Sequence, residues 1–211
     1  MFNLRHQNDT TMLIGRKEEL RELNDAFKSE YSEFVAVYGR RRVGKTFLVR
    51  EAFNYEFTFQ HTGVAKEKIA GQLAAFRTAL IDYGYKDCPE LASWPDAFNS
   101  LKVGIKSSRK KKKVIFIDEI SWMDTPKSNF VSALEHFWNS WCSARKDVLL
   151  IICASATSWI INKVIKDRGG LHNRVNTQIY LMPFTLKECE EYLQSRNIRI
   201  NRYQILTLYM V

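Results

Sequence analysis

Apolar residues along this chain recur in two alternating rhythms. Five short β-rich runs, at residues 34–38, 57–60, 114–117, 148–153 and 178–181, are mostly continuous rather than alternating. That is the pattern of strands buried on both faces of a parallel sheet. Between them apolar residues return every three or four positions. Leu20, Leu23 and Phe27 form one such stripe, Ile69, Leu73, Phe76 and Leu80 a second, and Val131, Leu134, Phe137, Trp138 and Trp141 a third. The spacing predicts amphipathic helices whose aromatics pack into a core. Strands alternating with helices predict an α/β layered sheet with right-handed crossovers. After Leu181 the character changes. Pro183 marks a turn, Thr185 with Glu188 three residues on predicts a capped helix, and residues 200–211 read as a further helix that stops in mid-pattern, so a continuation is expected.

Composition narrows the class. A chain of 211 residues can bury one substantial α/β core. No run approaches 18 apolar residues, so no membrane partner is expected, and the first fifteen residues lack the apolar core and cleavage site of a signal peptide. Cys88, Cys142, Cys153 and Cys189 are scattered without a CxxC pair, which fits reduced thiols and a cytoplasmic location. The net charge of +9 is densest in RKKKKV, residues 109–114. That run is either a solvated loop leading into a strand or a contact for nucleic acid or another anionic surface.

The strongest chemical signal is GRRRVGKT, residues 39–46, between the apolar run FVAVY and the helical pattern FLVREAF. It meets GxxxxGK[ST] at Gly39, Gly44, Lys45 and Thr46, in the strand–loop–helix setting that template requires. Glycines let backbone amides surround phosphates, and the helix N-terminus adds its positive dipole end. The candidate nucleotide-binding stretch is therefore Gly39, Arg40, Arg41, Arg42, Val43, Gly44, Lys45, Thr46 and Phe47. Lys45 is placed to reach the β- and γ-phosphates and Thr46 to ligate Mg2+. The three arginines occupy positions where only backbone is required.

A second carboxylate-bearing segment, KKKVIFIDEIS, puts Asp118 at the carboxyl end of a buried strand, where open α/β sheets bind ligands. Asp118 can hold the metal, and Glu119 can orient and polarise an attacking water. The run DVLLIICASATSW ends with Ser155 and Thr157, either of which could stand near a γ-phosphate or make an ordinary turn or cap. Arg168 and Arg174 precede the fifth strand; arginine best neutralises charge on a transferring phosphoryl group, although surface arginines beside a flexible Gly169–Gly170 turn fit the sequence too.

These stretches, with LIGRKEEL, GGLHNRV and IYLMPFTLKECEEYL, resemble the archaeal ATPase type of the AAA-family ATPases, in the P-loop branch with an added catalytic glutamate, near the STAND and origin-recognition ATPases. The resemblance implies a three-layer α/β/α sandwich with a five-stranded parallel sheet in the order 5-1-4-3-2. It implies Walker A at 39–46, Walker B at 114–119, sensor 1 at Ser155, and two helices in the segment 62–113. Ile14, Gly15 and Arg16 match an N-terminal box lining an adenine pocket, and Arg174 matches an arginine that can act on a neighbouring subunit. Residues 1–183 correspond to the ATPase core and 184–211 to the start of a helical lid or winged-helix region. Family members usually continue through that lid and often into a nuclease-like domain.

The function expected on these grounds is Mg2+-dependent ATP binding and hydrolysis, with catalytic roles for Lys45, Glu119, Ser155 and Arg174. The domain would act as a motor or switch for an attached or partner effector, with a homo-oligomer as one implied assembly. The alternatives are a non-hydrolysing ATP/ADP switch and a nucleic-acid-associated protein. Direct nucleic-acid recognition is the weaker of these, because no aromatic platform is interleaved with the basic residues.

Overall fold

The computed structural model describes residues 13–166, 171 and 173–210. Its centre is a five-stranded parallel sheet of β1 (Glu33–Tyr38), β2 (Phe59–Thr62), β3 (Lys113–Asp118), β4 (Val148–Ala154) and β5 (Thr177–Tyr180), arranged β2-β3-β4-β1-β5. That is the expected order 5-1-4-3-2 seen from the other edge. Helix α1 (Lys17–Lys28) precedes the sheet and α2 (Lys45–Ala52) follows β1. Helices α3 (Ile69–Asp82) and α4 (Trp94–Ser107) fill the β2–β3 connection, as the resemblance implied. Helix α5 (Phe130–Phe137) runs on through a wider π-type turn, Trp138–Cys142, ahead of β4, and after β4 α6 (Thr157–Ile160) continues into a similar π-type turn, Ile161–Ile165. Helices α7 (Leu186–Ser195) and α8 (Arg202–Met210) come last.

Both sheet faces are buried because neighbouring strand residues point to opposite sides. Phe34, Ala36, Ile115, Ile117, Leu150 and Ile152 face a core built with α3, α4 and α5, in which Phe76, Trp94, Phe98, Phe130 and Phe137 interlock. Val35, Val37, Phe116, Leu149, Ile151 and Cys153 face α1 and α2 through Leu23, Ala26, Leu48 and Val49. All of β4 is buried, which explains its unbroken apolar run.

Strand β2 lies two residues later than the apolar pattern places it. Phe57 is buried, but against Phe53 and Phe116, ahead of the ladder. The ladder itself begins at Phe59↔Ile115 and carries the polar Gln60 and Thr62 to an edge position, where alternation is not enforced by burial on both sides. Helix α7 starts on the expected cap: the Thr185 hydroxyl accepts from the Glu188 amide while the Glu188 carboxylate accepts from the Thr185 amide.

The lysine run is built into the fold. Lys110 Nζ donates to Phe57 O at 3.2 Å, and Lys112 Nζ to Ser29 O and Tyr31 O at 2.9 and 2.5 Å. Lys113 pairs with Asp147 at 2.8 Å, beside a two-pronged Arg145–Asp147 contact with both bonds at 2.7 Å. Burial alone would raise the Asp147 carboxyl, but the hydrogen bonds from Arg145 and Lys113 outweigh it and hold it at about 2. This basic cluster joins the leading ends of β1, β3 and β4; only Arg109 and Lys111 of the run are exposed. The four cysteines are free, three of them buried, and among the described residues no helix is long and apolar enough to cross a membrane.

His61 on β2 is buried against Phe76, with its Nε2 unpartnered, and burial lowers it to about 4 from 6.5. Between pH 6.5 and 4 the unfolded chain therefore takes up a proton that the folded chain refuses. Stability should fall across that window by on the order of 3 kcal/mol. The loss tied to Asp147 comes separately, as pH drops from 3.8 through about 2. Urea titrations at pH 7 and pH 4.5 of wild type and His61→Leu test this: the wild type should lose more stability between the two conditions, and parallel losses would remove His61 as the cause.

Candidate functional site

Parallel strands deliver their carboxyl ends to one edge, and there β1, β3 and β4 each hand on a polar segment. Tyr38 leads into the loop 39–44, Asp118 closes β3, and Ser155 follows β4. The loop returns into α2 at Lys45. Arg42 (φ 65°) and Gly44 (φ 91°) are both left-handed, the backbone shape from which concave anion nests are made. Gly39 has a steric reason: a Cβ there would lie 2.3 Å from the Leu181 carbonyl oxygen, where the chain leaves β5. Arg40, Arg41 and Arg42 are exposed, as expected of positions where only backbone is used.

Inside the loop lies the Lys45 ammonium, only 6% exposed, donating to Gly39 O at 3.0 Å and Arg40 O at 2.6 Å. The Thr46 hydroxyl donates to Asp118 Oδ2 at 2.7 Å, and the Glu119 amide donates to Asp118 Oδ1 at 2.9 Å. Ser155 Oγ donates to Glu119 Oε1 at 2.6 Å. A continuous chain of contacts thus runs Thr46–Asp118–Glu119–Ser155, joining three strands. Of the two hydroxyls left open by the sequence, Ser155 is the one at Glu119; Thr157 begins α6.

Thr46 and Asp118 offer adjacent hard oxygen donors, the chemistry that suits Mg2+. Among the described residues no group of three or more His, Cys, Asp or Glu side chains could cage a metal alone. An ion here would draw its remaining ligands from water or phosphate, the usual habit of Mg2+. Beneath Asp118, Cys153 is fully buried; burial first, then the nearby carboxylate, push its thiol well up, so it stays protonated and inert. Its place beside Asp118 follows from the β3–β4 register, which the local sequence does not state.

Beside the loop a cavity of about 460 Å3 is lined by Leu13, Ile14, Val43, Phe47, Phe184 and Tyr192, with Arg16 and Arg196 among its polar walls. Ile14 and Phe47 both line this cavity. Arg16 does something the sequence did not show. It is 7% exposed, donates to Met182 O at 2.7 Å, and lies 4.7 Å from the Phe184 ring centre. Next to it, a Cβ on Gly15 would meet the Glu188 carboxylate at 2.3 Å. The Glu188 carboxyl is lowered although burial opposes this, by its bonds to Thr185 and then by the Arg16 charge and amide. Gly15 and Arg16 therefore pack against the start of α7, while Ile14 and Arg16 line the cavity. Phe184, Tyr192 and Arg196 also line it, which the sequence did not assign to them.

Arg174 is exposed and lies just before Thr177, which pairs with Val35 near the start of β1. It is thus at the leading edge of the sheet, opposite the loop 39–44, and takes no part in this chain's own site. Arg168 lies outside the described residues.

A model of the ATPase domain found predominantly in Archaea matches residues 13–198. The chain belongs to that family. Among curated relatives, an uncharacterized protein of Methanocaldococcus jannaschii is 26% identical over 183 residues, covering 86% of this chain and 38% of the relative. An uncharacterized ATP-binding protein of the same organism is 42% identical over 40 residues, 19% of this chain and 68% of that one. Among solved structures, the Walker-type ATPase PABY2304 of Pyrococcus abyssi is similar at a TM-score of 0.62 and 15% identity, over 92% of this chain and 61% of that one. The Aeropyrum pernix ORC2 protein, solved in ADPNP–ADP complexes, reaches 0.64 at 15% identity, over 92% and 55%. These likenesses show the P-loop ATPase fold. The chain spans under two-fifths of the longer Methanocaldococcus relative and between half and two-thirds of those two structures.

If Arg16 braces α7, Arg16→Met should speed amide exchange across residues 182–195 about ten- to hundredfold, the size expected on losing hydrogen bonds made by a charged group, while β1 and β4 remain protected. Unchanged exchange in that segment would show that α7 is held by other contacts.

Proposed function

We propose that this domain binds ATP with Mg2+ and hydrolyses it, acting as a motor or switch for an attached or partner effector. The observation that carries the reading is the contact chain Thr46–Asp118–Glu119–Ser155 facing the Lys45 loop. Membership of the ATPase family supports it, as does the nucleotide-bound state of the similar Aeropyrum protein.

The roles follow from the geometry. The left-handed turn at residues 42–44 and the N-terminus of α2 receive the phosphates, and Lys45 exchanges its carbonyl partners for β- and γ-phosphate oxygens. Thr46 and Asp118 would hold a magnesium ion, which would supply neutralising charge at the phosphate oxygens. Glu119 orients a water and takes its proton as the water oxygen bonds to the γ-phosphorus. The bond from that phosphorus to the β-bridging oxygen breaks, leaving ADP and phosphate. Ser155 keeps the Glu119 carboxylate on this edge of the sheet. The apolar cavity receives the base between Ile14, Val43, Phe47 and Phe184.

Because Tyr192 and Arg196 of the α7 segment share that cavity, nucleotide occupancy bears directly on the position of α7. We assign residues 184–211 as the start of the lid on this ground. A role for Arg174 in phosphoryl transfer requires a second copy of the chain, given its place at the opposite edge.

One observation favours a second reading, a stable ATP/ADP switch: the Glu119 carboxylate is engaged by Ser155 at 2.6 Å, a partner it must share with any attacking water. Nucleic-acid binding is the weaker alternative, since Lys110, Lys112 and Lys113 of the basic run spend hydrogen-bond donors on the protein itself.

Lys45→Ala should weaken Mg2+–ATP binding about ten- to hundredfold in calorimetry. Glu119→Gln should retain bound ATP while phosphate release falls about 10²- to 10⁴-fold. Tight binding with no wild-type turnover would establish the switch instead, and binding indifferent to Lys45 would remove the site altogether.

A further inference from the structure

Glu119 holds a backbone conformation that its residue type resists. Its φ and ψ are 45° and 42°, left-handed for a residue that is neither glycine nor asparagine, and such a conformation persists only where surrounding contacts over-determine it. The turn that follows it is bonded to a residue on α3. Gln72 is completely buried, in the first turn of a helix whose neighbouring inward residues, Leu73, Phe76 and Leu80, are apolar core. An amide in such a place is costly unless every polar atom is partnered, and here every one has a use. Gln72 Oε1 accepts from the Val64 amide at 3.0 Å, while Nε2 donates to Val64 O at 2.6 Å and to Trp122 O at 2.9 Å.

Those three bonds link two loops and nothing else. Val64 belongs to the connection leaving β2, and Trp122 ends the 3-10 turn Ile120–Trp122 for which Glu119 is the N-terminal cap. Next to Val64, Gly63 donates its amide to Asp118 O at 2.9 Å and approaches Glu119 so closely that a Cβ would stand 2.6 Å from the Glu119 carbonyl oxygen. On the far side of the turn, Trp159 Nε1 donates to Asp124 Oδ2 at 2.8 Å, four residues beyond Ser155. The turn carrying Glu119 is thus gripped from α3 by Gln72, from β2 by Gly63, and from α6 by Trp159.

We propose that Gln72 is a positioning residue for the Glu119 carboxylate. By fixing the spacing between the loop after β2 and the turn after β3, it sets the backbone of Glu119 in the left-handed conformation that presents the carboxylate to Ser155 and to the water that Glu119 activates. The proposal rests on the hydrolytic reading of Glu119 given above. Gln72 lies on the Glu119 side of the site, and none of its bonds reaches the loop 39–44, Lys45 or Thr46, so nucleotide affinity is not its concern.

The test is a set of matched measurements on the wild type, Glu119→Gln, Gln72→Met, Gly63→Ala, and Gln72→Met combined with Glu119→Gln. Each is assayed for Mg2+–ATP affinity by calorimetry and for phosphate release at saturating ATP. Gln72→Met keeps the side-chain length and removes all three bonds. Gly63→Ala presses on the Glu119 carbonyl oxygen itself, with Met123 Cγ and Trp122 Cβ as its other near neighbours at 3.2 Å, so it reaches the same turn through a different contact and stands in if Gln72→Met does not fold. The expected result is a loss of turnover of about ten- to hundredfold in either variant, the scale of a misplacement near 1 Å, with affinity within twofold of wild type. In the Glu119→Gln background, adding Gln72→Met should cost almost nothing further, because the group it positions is already gone. A merely structural role would lower the active fraction and multiply fully in that background, which overturns the proposal. Turnover lost in Glu119→Gln but retained in Gln72→Met or Gly63→Ala overturns this proposal alone. Turnover indifferent to Glu119→Gln, or absent from the wild type, overturns the reading of Glu119 and this proposal with it.

Discussion

The hydrogen bond from the Thr46 hydroxyl to the Asp118 carboxylate, 2.7 Å long, is the contact on which the rest of the site depends. It joins the first turn of α2, which follows β1 and its loop, to the end of β3; the two strands are separated by the whole of β4 and so by two strand spacings, about 10 Å. The two side chains can meet only because the strands are parallel and in register, with Tyr38 level with Ala154 and Ile117 level with Ile152. Small residues, Ala154 and Ser155, end β4 between them. A shift of one residue in either ladder would carry the carboxylate to the other face of the sheet. The sheet's burial on both faces makes that shift prohibitive, and so the core's packing is what fixes the chemistry of the edge.

The two ends of the sheet divide the chain's excess positive charge in different ways. At the leading end, Lys110, Lys112, Lys113 and Arg145 are consumed by carbonyl oxygens and by Asp147. At the carboxyl end, Lys45 is held within a loop flanked by three exposed arginines. A hydrogen bond to a neutral carbonyl fixes an ammonium in place but leaves its charge, so of these partners only Asp147 offsets charge at the leading end, while the loop's arginines stand exposed at the other.

Bracing recurs at both borders of the site. Arg16 fastens the segment before α7 to the cavity beside the loop 39–44, and Gln72 fastens the turn after β3 to the loop after β2. Each is buried, each serves backbone carbonyls, and each occupies a position where apolar packing would be the simpler solution. Buried polar groups that are fully partnered specify one arrangement more sharply than they stabilise it. Specifying one arrangement is what a site assembled from separate loops requires. The same logic makes α7 responsive: it is attached to the core through a few polar contacts and the cavity wall, rather than through a broad apolar face, since none of its residues is buried.

The strands, the helix over residues 69–80, the glycine-bounded loop, the Asp118–Glu119 pair and the Thr185–Glu188 cap were all legible in the chain itself, whereas the second helix of the β2–β3 connection and the preference for Ser155 came only with the family resemblance. The legible features depend on periodicity or on neighbours within a few residues, where local sterics and burial dictate the outcome. The contact of Ser155 with Glu119, the placement of Arg174 at the opposite edge, the internal use of the lysine run and the contacts of Arg16 and Gln72 were decided by tertiary structure alone. Arg16 meets Met182 across 166 positions and Gln72 meets Trp122 across 50. Contacts over such separations exist only once the sheet order has brought distant segments together, and no local preference of either residue records them.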